Sequence, residues 1–358
     1  QNPLCSPSRA TFLTGRYPVT HRLRQNGQNI PEDEVLVTKI LAENDYICGL
    51  SGKLHLGACN RRFTLGDEWW KLPHEQRLVQ GHEKRIDDGY TEFYWDHAPN
   101  PGYRSSAYNR WLLEKGLRFE THEREDSDAV TNGMPSEHHQ VTFCVEKAIG
   151  FIEAYEDYAH NWLFSVNPFD PHFDFDPPED YLEPYLERLD EIPLPNYMEG
   201  ELEDKPAYQK ERHEGTSWGG YDQSDTGDPH EHRMLRAAYW AMCDHIDKQV
   251  GRLLDALERT GQRENTLVIF TSDHGELLGD HGLYKKGAYL YDPTVRVPLI
   301  ISMPGTIEPG RTDALVELGD LAPTVLEACG LERHPGMQAR SLWPLLTGRP
   351  DQWVTLDV

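Results

Sequence analysis

The sequence predicts an α/β fold with a large, mostly parallel central sheet sandwiched by helices. Three observations predict it. Short apolar runs with abrupt polar boundaries, 266–271 (TLVIFT) and 297–302 (VPLIIS), have the form of strands buried on both faces. Residues 236–257 place Ala238, Met242, Ile246, Val250 and Leu254 four apart, which is one face of a helix. The two patterns alternate along the chain, as they do where helices cover both faces of a parallel sheet.

Each element has its own reason. Cys5 precedes a short helix, with Pro7 in its first turn and Gly15 at its end. Residues 34–44 (EVLVTKILAEN) read as a helix and 46–51 as a short strand. Residues 137–158 read as a long helix feeding a strand at 162–166 (WLFSV). Two stretches read as insertions: 61–131, rich in Trp, Tyr, Asp and His, and 169–228, rich in Pro, Glu, Asp and Gly. Long loops in a compact domain are commonly functional, so both are expected to recognise substrate. Ligands in this class of fold sit at the carboxyl ends of the strands.

The bulk properties set limits. With 358 residues and 38% hydrophobic content, the chain can bury a sizeable core. Sixty acidic against 35 basic residues give a net charge of −25. That excludes a general nucleic-acid binder, which needs a basic surface. It also sets a condition on any anionic substrate: a local cluster of cations has to overcome the long-range field. No apolar run approaches the ~20 residues that span a bilayer, and no targeting signal is visible. Six cysteines, Cys5, Cys48, Cys59, Cys144, Cys243 and Cys329, are scattered without a C-x-x-C pair and read as unpaired buried thiols.

Four constellations carry chemistry. At Cys5 a helix N-terminus favours an anionic nucleophile, and Arg9, one turn on, can face the same point. The same spacing also suits a small buried Cys beside a capped helix. Lys53 and His55 lie two apart at a strand end and can point to one side of a site; alternatively they are a surface Lys and a satisfied core His. His172, within 167–174 (NPFDPHFD), falls on a loop after a strand. Asp273 and His274 follow the 266–271 strand, where a carboxylate suits a hard divalent cation.

These residues resemble a known family. Cys5, Pro7, Ser8 and Arg9, followed by Thr14-Gly15, fill the type I sulfatase signature C-x-P-S-R…T-G. Residues 45–57 (DYICGLSGKLHLG) are similar to its second signature, with Asp45 in place of the usual Gly and Cys48 in place of Thr or Ser. Pro171-His172, the run from Ser272 to Lys286, Arg296-Val297-Pro298 and Asp320…Pro323-Thr324 resemble further family elements, in the family's order. The resemblance implies an alkaline-phosphatase-like sulfatase fold over 1–358 that hydrolyses sulfate esters, on a carbohydrate or polysaccharide. It implies that a formylglycine-generating enzyme oxidises Cys5 to formylglycine, whose hydrate attacks sulfur. One calcium ion would be held by residue 5, Asp273 and His274. Arg9, Lys53 and Lys286 would stabilise sulfuryl charge, and His172 with Lys286 would protonate the leaving alcohol. His55 would take a proton from the second hydroxyl.

Around that core the expectations are looser. Lys285 reads as a solvated charge and His281 as a residue that orients its turn. His21, Arg24, Arg61 and Arg62 are candidates to read carboxylates or a second sulfate on the substrate. The aromatics of 61–131 either stack on sugar or, for most, pack a small core of their own. Family members carry paired aspartates on a strand before the cysteine signature and a smaller C-terminal subdomain, so the chain is expected to be truncated at both ends. Family expectation also places such a protein in the periplasm or outside the cell. The rival readings are a phosphonate or phosphate ester hydrolase on the same scaffold and an inactive carbohydrate-binding fragment.

Overall fold

The structure, a computed structural model, describes residues 2–59, 83–99, 106–157, 159–215, 228–349 and 353. Its centre is strand β1, Tyr46–Gly52. Strand β2, Tyr90–Trp95, pairs with it in parallel on one side. A two-residue antiparallel pair, β3 (His122–Glu123) and β4 (Thr131–Asn132), stands apart. Strand β5, Asn161–Asn167, flanks β1 on the other side, also parallel, giving the order β2-β1-β5.

Alternation along β1 decides what each face meets. Cys48 and Leu50 join a core with Leu13, Leu36, Leu41 and Leu326, drawn from helices Cys5–Thr14, Val37–Ala42 and Leu321–Ala328 and the segments around them. Gly49 and Ser51 face helix Gln140–Ala154: a Cβ on Gly49 would lie 2.4 Å from Phe164 and 3.3 Å from Phe151, and Ser51 Oγ donates to the Cys144 carbonyl at 2.8 Å. The sheet is therefore covered on both faces, as the α/β reading requires.

The longest helix, Pro229–Arg259, begins where Asp228 accepts the His230 N–H at 2.8 Å and Pro229 takes the first position. Its small and flexible residues Ala237, Ala238, Ala241, Met234 and Met242 let it pack closely on helices Gln140–Ala154 and Glu179–Leu186. It extends the predicted 236–257 helix by two turns at the front, because Asp228-Pro229 is the real start signal. No described helix is long and apolar enough to cross a membrane.

Strands β6 (Val268–Thr271) and β7 (Leu299–Ser302) depart from expectation. They pair antiparallel with each other, and Phe270 and Ile300 are 36% and 61% exposed. The sequence reads both as fully buried. Among the described residues they have no further strand beside them, so one apolar side stays uncovered.

Part of 61–131 belongs to the scaffold. It supplies β2, and helix Ala107–Glu114, capped by Ser106, packs Tyr108, Trp111 and Leu112 against Met134, Phe143 and Cys144. Those aromatics build core, while Trp69, Trp70 and Tyr103 lie outside the described residues. All six cysteines are free, four buried and two half-buried.

Candidate functional site

Three strand ends converge. β1 ends at Gly52 and releases Lys53 and His55; β5 ends at Asn167 and releases His172; β6 ends at Thr271 and releases Asp273 and His274. Helix Cys5–Thr14 delivers Cys5 to the same point. Leu4, at the helix cap, offers no side-chain acceptor; instead Asn26 Oδ1 accepts the Ser6 N–H at 2.9 Å, and Pro7 has no N–H to satisfy.

Cys5 Sγ is the hub. His274 Nε2 lies 3.1 Å from it and Lys53 Nζ 3.5 Å. Burial opposes ionisation of the thiol, but Lys53, His274 and Lys286 and a hydrogen bond with His172 outweigh it and hold the thiol well below its usual range. Burial likewise works against charge on His274, yet the Asp273 carboxylate and Cys5 raise it. Its Nδ1–H donates to the Gly275 carbonyl at 2.8 Å, which turns Nε2 toward Cys5.

Arg9 is a brace. Its Nε donates to Asp273 Oδ2 at 2.6 Å and its Nη1 to the Lys53 carbonyl at 2.6 Å, tying the helix to two strand ends. Ser8 Oγ donates to the Asp273 carbonyl at 2.5 Å. Burial would raise the Asp273 carboxyl, but Arg9 and His274 hold it far below the carboxylate range.

His172 and Lys286 form a second pair. Lys286 Nζ hydrogen-bonds His172 Nε2, and His172 Nδ1–H donates to the Phe173 carbonyl at 2.5 Å. Burial, then Lys286, pushes His172 down to about 3, so the ring is neutral; burial also lowers Lys286. Within the pair the amine of Lys286 is the donor and His172 Nε2 the acceptor. His55 is neutral too, lowered to about 4 by burial and then Lys53, and it hydrogen-bonds Cys5.

The six catalytic candidates therefore meet in one place. The substrate candidates do not. His21 is fully buried, 3.2 Å from Thr11 Oγ1, and accepts the Leu23 N–H at 3.2 Å; burial lowers it to about 4. Its ring packs on the Cys5 helix rather than standing at the surface. Arg24 is exposed, and its backbone N–H donates to Gln28 Oε1 at 3.0 Å. Arg61 and Arg62 lie outside the described residues. Lys285 is corrected: it is buried with Nζ 4.1 Å from the Phe173 ring centroid, and burial, then Arg212, lowers it to about 7. His281 does hold its turn, with Nδ1 3.1 Å from Glu201 and its ring stacked on Tyr291 at 4.0 Å.

Sequence reasoning missed Glu83. Buried, it accepts the N–H groups of His55 (2.8 Å), Leu56 and Gly57 (2.7 Å) and of the Trp95 indole (3.2 Å). It thereby holds the loop on which His55 adopts φ 60°. His97, whose ring meets His55 edge-on at 4.4 Å, was missed as well. Neither carries a local motif. Asn26, 21 residues after Cys5, was also invisible.

The Sulfatase family model matches residues 1–331, and the chain belongs to that family of sulfuric ester hydrolases. It is 29% identical over 375 residues to the multifunctional alkaline phosphatase superfamily protein PehA of Trinickia caryophylli, covering 98% of this chain and 68% of that protein. It is 26% identical over 392 residues to an N-acetylglucosamine-6-O-sulfatase of Bacteroides thetaiotaomicron, covering 98% and 64%. Among solved structures, the phosphonate monoester hydrolase SpPMH from Silicibacter pomeroyi superposes with a TM-score of 0.76 at 24% identity, over 99% of this chain and 68% of that one. At that identity the superposition shows the shared fold. The chain thus spans about two thirds of the length of these relatives.

The donor set bears on the implied metal. Calcium takes about six to eight oxygen ligands. Here the hub offers one carboxylate, Asp273, already paired with Arg9, beside the sulfur and nitrogen donors of Cys5, His172 and His274. The described residues are not by themselves a calcium cage.

Proposed function

We propose that this chain is the catalytic part of a formylglycine-dependent sulfatase acting on a sulfated carbohydrate. The observation that carries the reading is the cation cluster around Cys5 Sγ: Lys53, His274 and Lys286 converge on one buried atom at a helix N-terminus. Oxidation of Cys5 to formylglycine by a dedicated enzyme would supply an oxygen nucleophile where Sγ now stands. Calcium remains the cation implied by resemblance, with residue 5, Asp273 and His274 as this chain's contribution to holding it. The donor set falls short of its needs, so no step is routed through it.

The geometry supports a role for each side chain. Lys53 and Lys286 face the position of a transferred sulfuryl group and offset the charge that develops on its oxygens. Arg9 fixes the Cys5 helix to Asp273 and the Lys53 backbone, so the nucleophile cannot drift from its partners. Lys286 carries the proton of the Lys286–His172 pair and delivers it to the departing alcohol, with neutral His172 orienting the amine. Neutral His55 takes a proton from the residue at position 5. The carbohydrate assignment rests on the named activity of the N-acetylglucosamine-6-O-sulfatase relative and assigns substrate recognition to 169–228 and the undescribed part of 61–131.

A phosphonate or phosphate ester is the second reading, favoured by the likeness to PehA, since both chemistries transfer a tetrahedral oxyanion. One experiment addresses both. The chain, co-expressed with a formylglycine-generating enzyme, is assayed on aryl sulfate and aryl phosphonate esters beside Cys5→Ala. The Cys5 peptide is expected to lose about 18 Da. Sulfate turnover is expected to exceed phosphonate turnover and to fall at least ~1000-fold in the variant. Near-normal turnover by Cys5→Ala would refute the mechanism, and faster phosphonate turnover would replace the substrate.

A further inference from the structure

Beneath the His172 loop lies a cluster that the reaction does not use. His139, Asp170 and His245 each place one donor atom within 4.8 Å of the other two, and all three are buried. They come from separate elements. His139 precedes helix Gln140–Ala154, Asp170 follows β5 two residues before His172, and His245 sits midway along helix Pro229–Arg259.

The cluster is unsatisfied. Neither carboxylate oxygen of Asp170 has a hydrogen-bond partner, although its side chain is 1% exposed. Its neighbour His139 Nε2 is 3.8 Å away, beyond hydrogen-bond reach. His245 Nδ1 is also buried without a partner. His245 Nε2 lies 3.3 Å from both Thr142 Oγ1 and the Gln249 amide nitrogen, so Nδ1 becomes a ligand when the ring proton moves to Nε2, with Thr142 as its acceptor and the Gln249 amide turned aside. The Thr142 hydroxyl is free to accept because its own proton goes to the Ser136 carbonyl at 2.5 Å. Burial raises the Asp170 carboxyl to about 8, so without a cation it holds a proton; a buried carboxyl and a buried imidazole nitrogen, close together and without partners, form a site where a cation can replace that proton.

We propose that His139, Asp170 and His245 form a second metal site, for a divalent transition cation of the zinc class. Two imidazoles and one carboxylate are a zinc donor set and too poor in oxygen for calcium. Tetrahedral zinc with nitrogen and oxygen ligands separates its donors by about 3.4 Å, so the 3.8 Å His139–Asp170 pair contracts a little and the pairs with His245, within 4.8 Å, close by side-chain rotation. The cation ties the Asp170 loop to two helices and so fixes the backbone that carries His172. That consequence for His172 rests on the proposed sulfatase mechanism, whereas the metal site itself does not.

The test reads metal, not turnover, so its failure is separate from failure of the sulfatase reading. The full chain is stripped with chelator and titrated with Co2+ alone, following the visible d–d bands and the near-ultraviolet thiolate charge-transfer band. The second band reports uptake at Cys5 or Cys59, which lie in the other two His/Cys clusters. One equivalent bound without thiolate character is expected, weakened at least ten-fold in Asp170→Asn and in His245→Gln, and displaced by Zn2+ with a rise in Tm. Absence of a thiolate-free equivalent in the unmodified chain overturns the proposal, whether or not the variants fold. Equal uptake by the chain and both folded variants overturns it too.

Discussion

Arg9 shows how one residue can be both motif and framework. It sits one helical turn beyond Cys5, and its guanidinium closes the gap between two strand ends by bonding Asp273 and the Lys53 carbonyl. Asp273→Asn leaves that buried guanidinium without a counter-charge. A loss of about 3 kcal/mol in urea unfolding is expected, larger than for an exposed ion pair. His172→Gln is a different case, because the ring is neutral and acts through Lys286. Its expected signature is a drop of about 100- to 10,000-fold in kcat, with the Tm nearly unchanged. The motif residues were legible in the sequence because the chemistry of a strand end is compact: Lys53 and His55, or Asp273 and His274, are neighbours in the chain. Glu83 was not legible, since three of its four partners are backbone N–H groups 26 to 28 residues away, which no side-chain pattern encodes. The burial of His21 was not legible, because a polar ring within the tract Thr20-His21-Arg22 leaves no apolar signature. Lys285 reads as a solvated charge beside Lys286, yet it is the more buried of the two and packs over Phe173.

At the scale of elements, the end of β1 has least tolerance. Gly52 has φ 94°, and a Cβ there would lie 2.0 Å from the Asn167 carbonyl oxygen on β5. No side chain can relieve a clash with paired backbone, so Gly52→Ala is expected to cost about 2–4 kcal/mol. It should also lower activity, because Lys53 follows directly. Urea unfolding and kcat measured on the same preparation check both. The next strand ends in a titratable group. Burial raises the Asp96 carboxyl to about 6, although Gln140 Nε2 donates to it at 3.1 Å. A raised folded value means that the protonated form is the better one in the fold. Its ionisation therefore costs stability as pH rises from about 4 to about 6, and the penalty is constant above that. Asp96→Asn is expected to stabilise the protein at pH 7 by at most about 3 kcal/mol, with the gain gone near pH 4. Thermal unfolding across pH 4–8 tests the sign. Strand β1 was read to within a residue of its ends, because polar boundaries mark it, whereas β2 lay hidden in the stretch read as an insertion. The exposure of β6 and β7 was not readable, since an apolar run records that a strand prefers cover and not whether a neighbour provides it.

The whole molecule sets a problem that the site must solve. The chain carries a net charge of −25, and the proposed substrate is an anion. Lys53, Lys286, Arg9 and His274 make the hub locally positive, but their reach is short and the surrounding field is not. Screening separates the two ranges: the Debye length is about 30 Å at 0.01 M salt and about 10 Å at 0.1 M. Raising salt over that interval removes most of the long-range repulsion and leaves the buried contacts nearly intact. For a sulfate ester of net negative charge, kcat/KM is therefore expected to rise several-fold, while kcat stays flat because the bound state is unaffected. A zwitterionic sulfate ester with no net charge feels no such repulsion and should show a flat kcat/KM. Both slopes come from one set of steady-state assays at fixed pH. If kcat/KM for the anionic ester instead fell with salt, the cations of the hub would govern approach as well as binding. The acidic surface would then be oriented away from the entrance, and charge distribution rather than net charge would set the encounter rate.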